Sequence, residues 1–192
     1  MSIPSPKLIG YFARPTTPRK DWPHTEVVKE ICNASTCMSA CDWDWINEGL
    51  HNEMWVFDSP DLALEVVPVE RRSSCDLYAY QLFPVRFIES QRESYAVPDV
   101  SPAPLDPTFE RLGYDLVSGS QDNCFEHSPL SCNDLAAEVS VNRHCLIDDV
   151  AAAFTLAETI EVPGQPMRGE PGPYYIVEVW RRVSKIGTRT AQ

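Results

Sequence analysis

Prolines decide how long any regular element in this chain can run. There are 17 among its 192 residues, and each one fixes φ and removes a backbone donor, so it interrupts a helix interior or a central ladder. They are bunched. Pro15, Pro18 and Pro23 make the stretch after residue 14 a loop, and Pro98, Pro102, Pro104 and Pro107 make 96–107 a stiff, extended one. Residues 162–173 form a third loop, built of proline and glycine.

Between these loops only short elements fit. KLIGYFAR (7–14) reads as a first strand. Residues 24–38 read as a helix, because Val27, Val28, Ile31 and Cys32 recur at helical spacing and Thr25 can cap the start. DWDWINEGL (42–50) is a short helix or tight turn, and MWVF (54–57) a short strand. Ser59-Pro60-Asp61 opens a helix that stops before Pro68. LYAYQLFPVRFI (77–88) is the longest strand, and Pro84 within it predicts an edge position or a bulge. LGYDLV (112–117) is a further strand; 118–133 is loop-like, with a short helix at 134–138. Residues 149–160 form a helix capped by Asp148 or Asp149, with Val150, Phe154, Ala157 and Ile160 along one face. YYIVEVW (174–180) is nearly all apolar, as a central strand covered on both faces would be. No internal repeat is read.

This irregular interleaving predicts an α+β fold: one compact domain over residues 1–192, with a mixed or mainly antiparallel sheet, a few short helices and long proline-rich loops. The loop at 96–107 is the only candidate internal boundary. It is not a linker on this reading, because neither flank has enough strands to close a core alone.

The net charge is −12, yet the ends are basic. Lys7, Arg14, Arg19 and Lys20 outnumber Asp21 near the start, and Arg181, Arg182, Lys185 and Arg189 stand unopposed at the end. The body is therefore more acidic than the total, which excludes nucleic acid as its expected ligand. An acidic surface keeps a protein soluble and also steers a basic protein partner. The sequence has no apolar run of membrane-spanning length and no signal-peptide pattern, so the expected location is the cytoplasm. Seven cysteines, an odd number, argue against a disulfide framework and for buried thiols.

The densest chemistry lies in 113–145. Cys124, His127, Cys132, His144 and Cys145 offer sulfur and imidazole donors suited to zinc, although their spacing matches no standard finger. Cys32, Cys37 and Cys41 form a weaker group. Cys132 or Ser131 as nucleophile, His127 or His144 as base and Asp115 or Asn133 as orienting group are the ingredients of a hydrolase or transferase, with Cys132, His127 and Asp115 the leading set. The bland alternative is an ordered loop in which Ser128, Ser131 and Asn133 satisfy turns. Phosphate loops, dinucleotide fingerprints and calcium hands are absent from the sequence. Trp43, Trp45 and Trp55 are candidate anchors for a protein partner.

Gly113-Tyr114-Asp115, the run from Ser128 to Asn133, and the late aromatic strand Tyr174 to Trp180 together resemble a pattern in uncharacterised bacterial proteins. Some of these are of the immunity or inhibitor kind. The resemblance covers the C-terminal half and supplies no catalytic residue. The acidic middle, the proline-rich loops and the lack of a catalytic signature make a non-catalytic protein-binding module of the inhibitor or immunity type the expected function, with no cofactor expected. The zinc-binding and cysteine-dependent readings stand as alternatives.

Overall fold

A computed structural model describes residues 2–18, 26–35, 50–89, 91–119, 123–160 and 171–183. The fold is α+β. Its strands are β1 (Lys7–Arg14), β2 (Thr17–Pro18), β3 (Glu30–Ile31), β4 (Asp76–Ile88), β5 (Gln91–Ser94), β6 (Phe109–Gly119), β7 (Phe125–His127) and β8 (Tyr174–Arg182). Its α-helices are α1 (Pro60–Glu65), α2 (Pro129–Cys132) and α3 (Val150–Ala157).

The main sheet is antiparallel, in the order β1-β4-β8-β6-β7, with β5 folded back on β4. Residues 7–14 and 174–180 take the strands expected of them, and β8 is indeed central, with Tyr174 to Val179 buried. Pro84 lies in an interior strand, and its missing N–H is absorbed by a register shift between Leu82 and Arg86. Ser59 caps α1 by accepting from the Leu62 N–H, and Asp149 caps α3 by accepting from the Ala152 N–H.

Two expectations are corrected. Residues 26–35 are not part of a helix. Glu30–Ile31 is a strand, and the neighbouring backbone spends its donors on another segment: Lys29 N–H on Arg143 O at 2.8 Å and Cys32 N–H on His144 O at 3.1 Å. A tertiary partner has overridden helical spacing. MWVF is not a strand either. Trp55 sits in the left-handed region at φ 58°, and only Phe57 reaches a neighbour, bridging Tyr11.

The third correction is the repeat. The chain folds as two copies of one unit: an outer strand, a tight loop, a helix and an inner strand. Gly10 in β1 and Gly113 in β6 follow the same bulge and share φ values of 150° and 147°. Asn52 and Asn142 organise the two loops identically. Each side-chain amide donates to the outer strand, to Ile9 O at 2.9 Å and Leu112 O at 2.7 Å. Each also donates to an aspartate, Asp58 or Asp148, at 2.8 Å. Each side-chain oxygen accepts a backbone N–H at 2.9 Å, from Met54 or His144. The loops then bridge the outer strands, Phe57 to Tyr11 and Ile147 to Tyr114, and α1 and α3 follow. Both helices pack on their own outer and inner strands. The inner strands meet with Tyr80 opposite Val179, flanked by Tyr78–Arg181 on one side and Leu82–Val177 on the other. A pseudo-twofold axis thus passes through the Tyr80–Val179 pair.

Candidate functional site

The 113–145 constellation is dispersed by the fold. Asp115 on β6 is fully buried, and its oxygens accept from Ser128 Oγ at 2.6 Å and Ala34 N–H at 2.7 Å. Burial pushes its carboxyl up from 3.8 to about 6, against the pull of those two hydrogen bonds and of Arg14. Arg14 itself is buried and donates to Ser35 O at 3.0 Å and Asn33 Oδ1 at 3.3 Å, while Asn33 donates to Ser131 Oγ. This network pins segment 33–35 to α2 and β6. His127 is no part of it; its backbone N–H donates to Ser118 Oγ at 3.2 Å and its carbonyl faces the same hydroxyl at 3.4 Å. Cys132 is disulfide-bonded. A bridged sulfur is neither a thiolate nucleophile nor a ligand. Asp115, His127 and Cys132 therefore do not form a relay, and not every cysteine is a buried thiol.

The proposed zinc ligands also part company. Cys124 and Cys145 are buried thiols, and Cys145 lies at φ 62° inside the apolar cluster beneath α3. Burial drives its pKa far up. Among the described residues no three of Cys124, His127, Cys132, His144 and Cys145 come together. His144 alone joins a ligand group, with two residues from elsewhere: Glu30, Cys32 and His144 place one donor atom each within 4.8 Å of one another. That group could hold a metal.

Three elements build it. β3 supplies Glu30 and the residue after β3 supplies Cys32, both held against the 142–148 loop by the backbone bonds to Arg143 and His144. The loop turns His144 outward from Cys145. β8 supplies Arg181. His144 Nδ1 is 2.6 Å from Glu30 Oε1 and 4.0 Å from Cys32 Sγ. Arg181 donates to Glu30 Oε2 at 3.2 Å and to Cys32 Sγ at 3.8 Å, and Tyr78 OH donates to the same sulfur at 3.6 Å. Thr16 ties Tyr78 to Asp76.

The electrostatics follow from this packing. Burial alone would raise Glu30, but the Arg181 guanidinium and His144 outweigh it and hold the carboxyl below its usual value. His144 is lowered by burial, only partly offset by Glu30. Cys32 is fully buried, and burial pushes its thiol up to about 11 in spite of the Tyr78 bond. Cys32 and Glu30 both face Nδ1, whereas a nucleophile–histidine–carboxylate relay needs the two ring nitrogens to serve different partners. A buried, protonated thiol in that geometry is not a nucleophile.

Sequence reading missed Glu30 because it assigned that stretch to a helix. Cys32 was visible only within the weaker cysteine group, whose other members lie outside the described residues.

Trp43 and Trp45 also lie outside the described residues. Trp55 is half-buried and stacks on His51, with ring centroids 4.5 Å apart and planes 13° apart. It lines a cavity of about 20 Å³ with Phe12, Arg14, Tyr80 and Phe125, room for roughly one water and for no organic substrate. A wider open groove of about 710 Å³ runs between Ser2, Pro4 and the β4–β5 hairpin, with Arg92 and Glu93 as its charged lining. Among the described residues no helix is long and apolar enough to cross a membrane. No family model, curated protein or solved structure matches this chain.

Proposed function

We propose that this chain is a non-catalytic module that binds a basic protein partner. One observation carries the reading: the acids, bases and thiols that could do chemistry are tied to one another inside the fold, while the exposed charge leading into and along α1, up to Arg71, is acidic. Glu53, Asp58, Asp61, Glu65 and Glu70 are all exposed on and around α1, with no lysine or arginine among residues 51–70. The pseudo-twofold mate repeats the theme with exposed Asp148, Asp149 and Glu158 around α3. Two acidic shoulders speed encounter with a cationic surface and discriminate against anionic partners such as nucleic acid.

The resemblance of the C-terminal half to immunity-type and inhibitor-type bacterial proteins points the same way. Cytoplasmic residence belongs to the same proposal. The Cys132 bridge weighs against it, since disulfides are rare in reducing compartments. Partner binding through the shoulders does not depend on whether the Glu30–Cys32–His144 group holds zinc.

The test uses the intact chain as bait beside a variant with Asp61→Lys, Glu65→Lys and Glu70→Lys, three exposed positions whose replacement leaves the core alone. The expected result is a basic protein retained in stoichiometric amount by the wild type and lost by the variant, with association slowed by salt. The same proteins on both baits, or no stoichiometric partner on either, overturns the proposal.

A further inference from the structure

We propose that Glu30, Cys32 and His144 form a binding site for a single zinc-class dication, with one thiolate, one imidazole and one carboxylate ligand. The inference goes beyond partner binding and stands apart from it.

The pseudo-twofold axis makes the case that His144 and the groups beside it, Tyr78 and Arg181, are not scaffold. Its register pairs His144 with Met54, Tyr78 with Val177, and Arg181 with Leu82. All three mates are buried in the apolar core, at 2%, 0% and 0% exposure. The same backbone is thus built once with dry hydrocarbon and once with an imidazole, a phenol and a guanidinium around a buried sulfur. A fold that needed polar groups there would need them in both halves.

The donor set fits zinc, which takes sulfur, nitrogen and oxygen tetrahedrally. Ordinary zinc–ligand lengths put a sulfur and a nitrogen ligand about 3.5 Å apart and a nitrogen and an oxygen about 3.3 Å apart. Here Sγ–Nδ1 is 4.0 Å and Nδ1–Oε1 is 2.6 Å, so the sulfur closes in and the carboxylate opens by under an ångström each. Arg181 keeps its bond to the second oxygen, Glu30 Oε2, and orients the carboxylate from outside the ligand set.

Charge also balances. Thiolate and carboxylate neutralise the dication, and Arg181 retains Asp76 Oδ2 at 3.9 Å. On binding, the Cys32 thiol proton leaves to solvent, and a neutral His144 carries its proton on Nε2 so that Nδ1 can ligate. Three protein ligands leave the fourth position to water, which enters past the partly exposed His144 and Glu30, at 15% and 20% side-chain exposure.

The full chain, stripped of metal and checked for its fold by circular dichroism, is titrated with Zn²⁺ by native mass spectrometry and with Co²⁺ by absorption. The expected result is one equivalent bound, a sulfur-to-cobalt charge-transfer band, and proton release. Cys32→Ser removes the band, and His144→Gln weakens zinc by more than about tenfold. Cys75→Ser, at a thiol outside the group, leaves both unchanged. A folded wild-type chain that takes up no stoichiometric metal overturns the proposal and leaves a buried ion-pair network only. So does a cobalt band that survives Cys32→Ser. These readings use no partner, so their failure is separate from failure of the binding proposal.

Discussion

At the scale of single residues, two glycines carry the most backbone constraint. A Cβ on Gly10 would lie 2.6 Å from Val56 Cγ2 and 2.7 Å from Phe57 O, and one on Gly113 would lie 2.8 Å from Ile147 O. Both sit at positive φ, where a side chain is strained in any case. Gly10→Ala and Gly113→Ala are each expected to destabilise by roughly 2 kcal/mol or more, measured as a drop in urea midpoint. Asp115 gives a pH signature. Its folded-state pKa lies above the unfolded value, so the folded chain holds the proton more tightly and this residue's contribution is greatest below about pH 4. That contribution is lost as pH rises through about 6, and the shift from 3.8 to about 6 corresponds to roughly 3 kcal/mol. Asp115→Asn keeps the shape and can keep both hydrogen bonds. Its stability relative to wild type is expected to improve between pH 4 and pH 7, as read from denaturant curves across that range; a flat difference would mean that Asp115 is charged or wetted in both states. Cysteine chemistry is testable as directly. The Cys132 bridge consumes two sulfurs, so the unfolded, unreduced chain is expected to titrate at most five of its seven cysteines as thiols.

At the scale of elements, the two asparagine loops do the organising. Each asparagine side chain satisfies its outer strand, its aspartate and the turn backbone together. Asn52→Ala or Asn142→Ala leaves several of those groups without partners, at a cost of roughly 2–3 kcal/mol each. Comparable losses in the two variants are the expected signature of equivalent loops, read from their chemical denaturation midpoints. Elements set by local chemistry were legible from sequence. Ser59-Pro60-Asp61 and Asp149 announced α1 and α3, and the apolar run at 174–180 announced a central strand. Elements set by a distant partner were not. Residues 26–35 carry helical spacing but give their backbone donors to the 142–148 loop. Because Glu30 and Cys32 ride on that segment, the ligand group was hidden with it. The repeat was hidden for another reason. Its shared signs are few, chiefly Gly-Tyr in the outer strands and Asn with a later Asp in the loops, and connections of unequal length between strand and loop give the strand signs a different offset from the loop signs.

At the scale of the whole molecule, duplication explains how one sheet can be both scaffold and site. The two units share backbone geometry and differ in what they surround. On one side of the axis the surroundings are dry, at Met54 and Leu82 of the first unit and Val177 of the second; on the other they are polar, at His144 and Arg181 of the second unit and Tyr78 of the first. Acidic residues are common to both units, which suits a surface role, and the sulfur–imidazole–carboxylate group, with Glu30 and Cys32 from the first unit and His144 from the second, has no counterpart across the axis among the described residues. Reversing charge on α1 is therefore expected to alter encounter with a basic partner and leave metal uptake alone, whereas Cys32→Ser does the opposite. Salt-dependent association rates and cobalt absorption measured on the same two variants check that separation.

The seam between the units has a consequence for synthesis. β4 pairs with β8 down the middle of the sheet, but β8 begins only at Tyr174. While the ribosome works through the intervening chain, the edge of β4 that β8 will cover stands open, and it runs through Tyr78, Tyr80 and Leu82. An open apolar strand edge is a template for other chains. Nascent molecules halted at residue 160 are expected to pellet in sedimentation, while completed ones stay dispersed. For this protein, translation speed between Leu82 and Tyr174 becomes a determinant of yield.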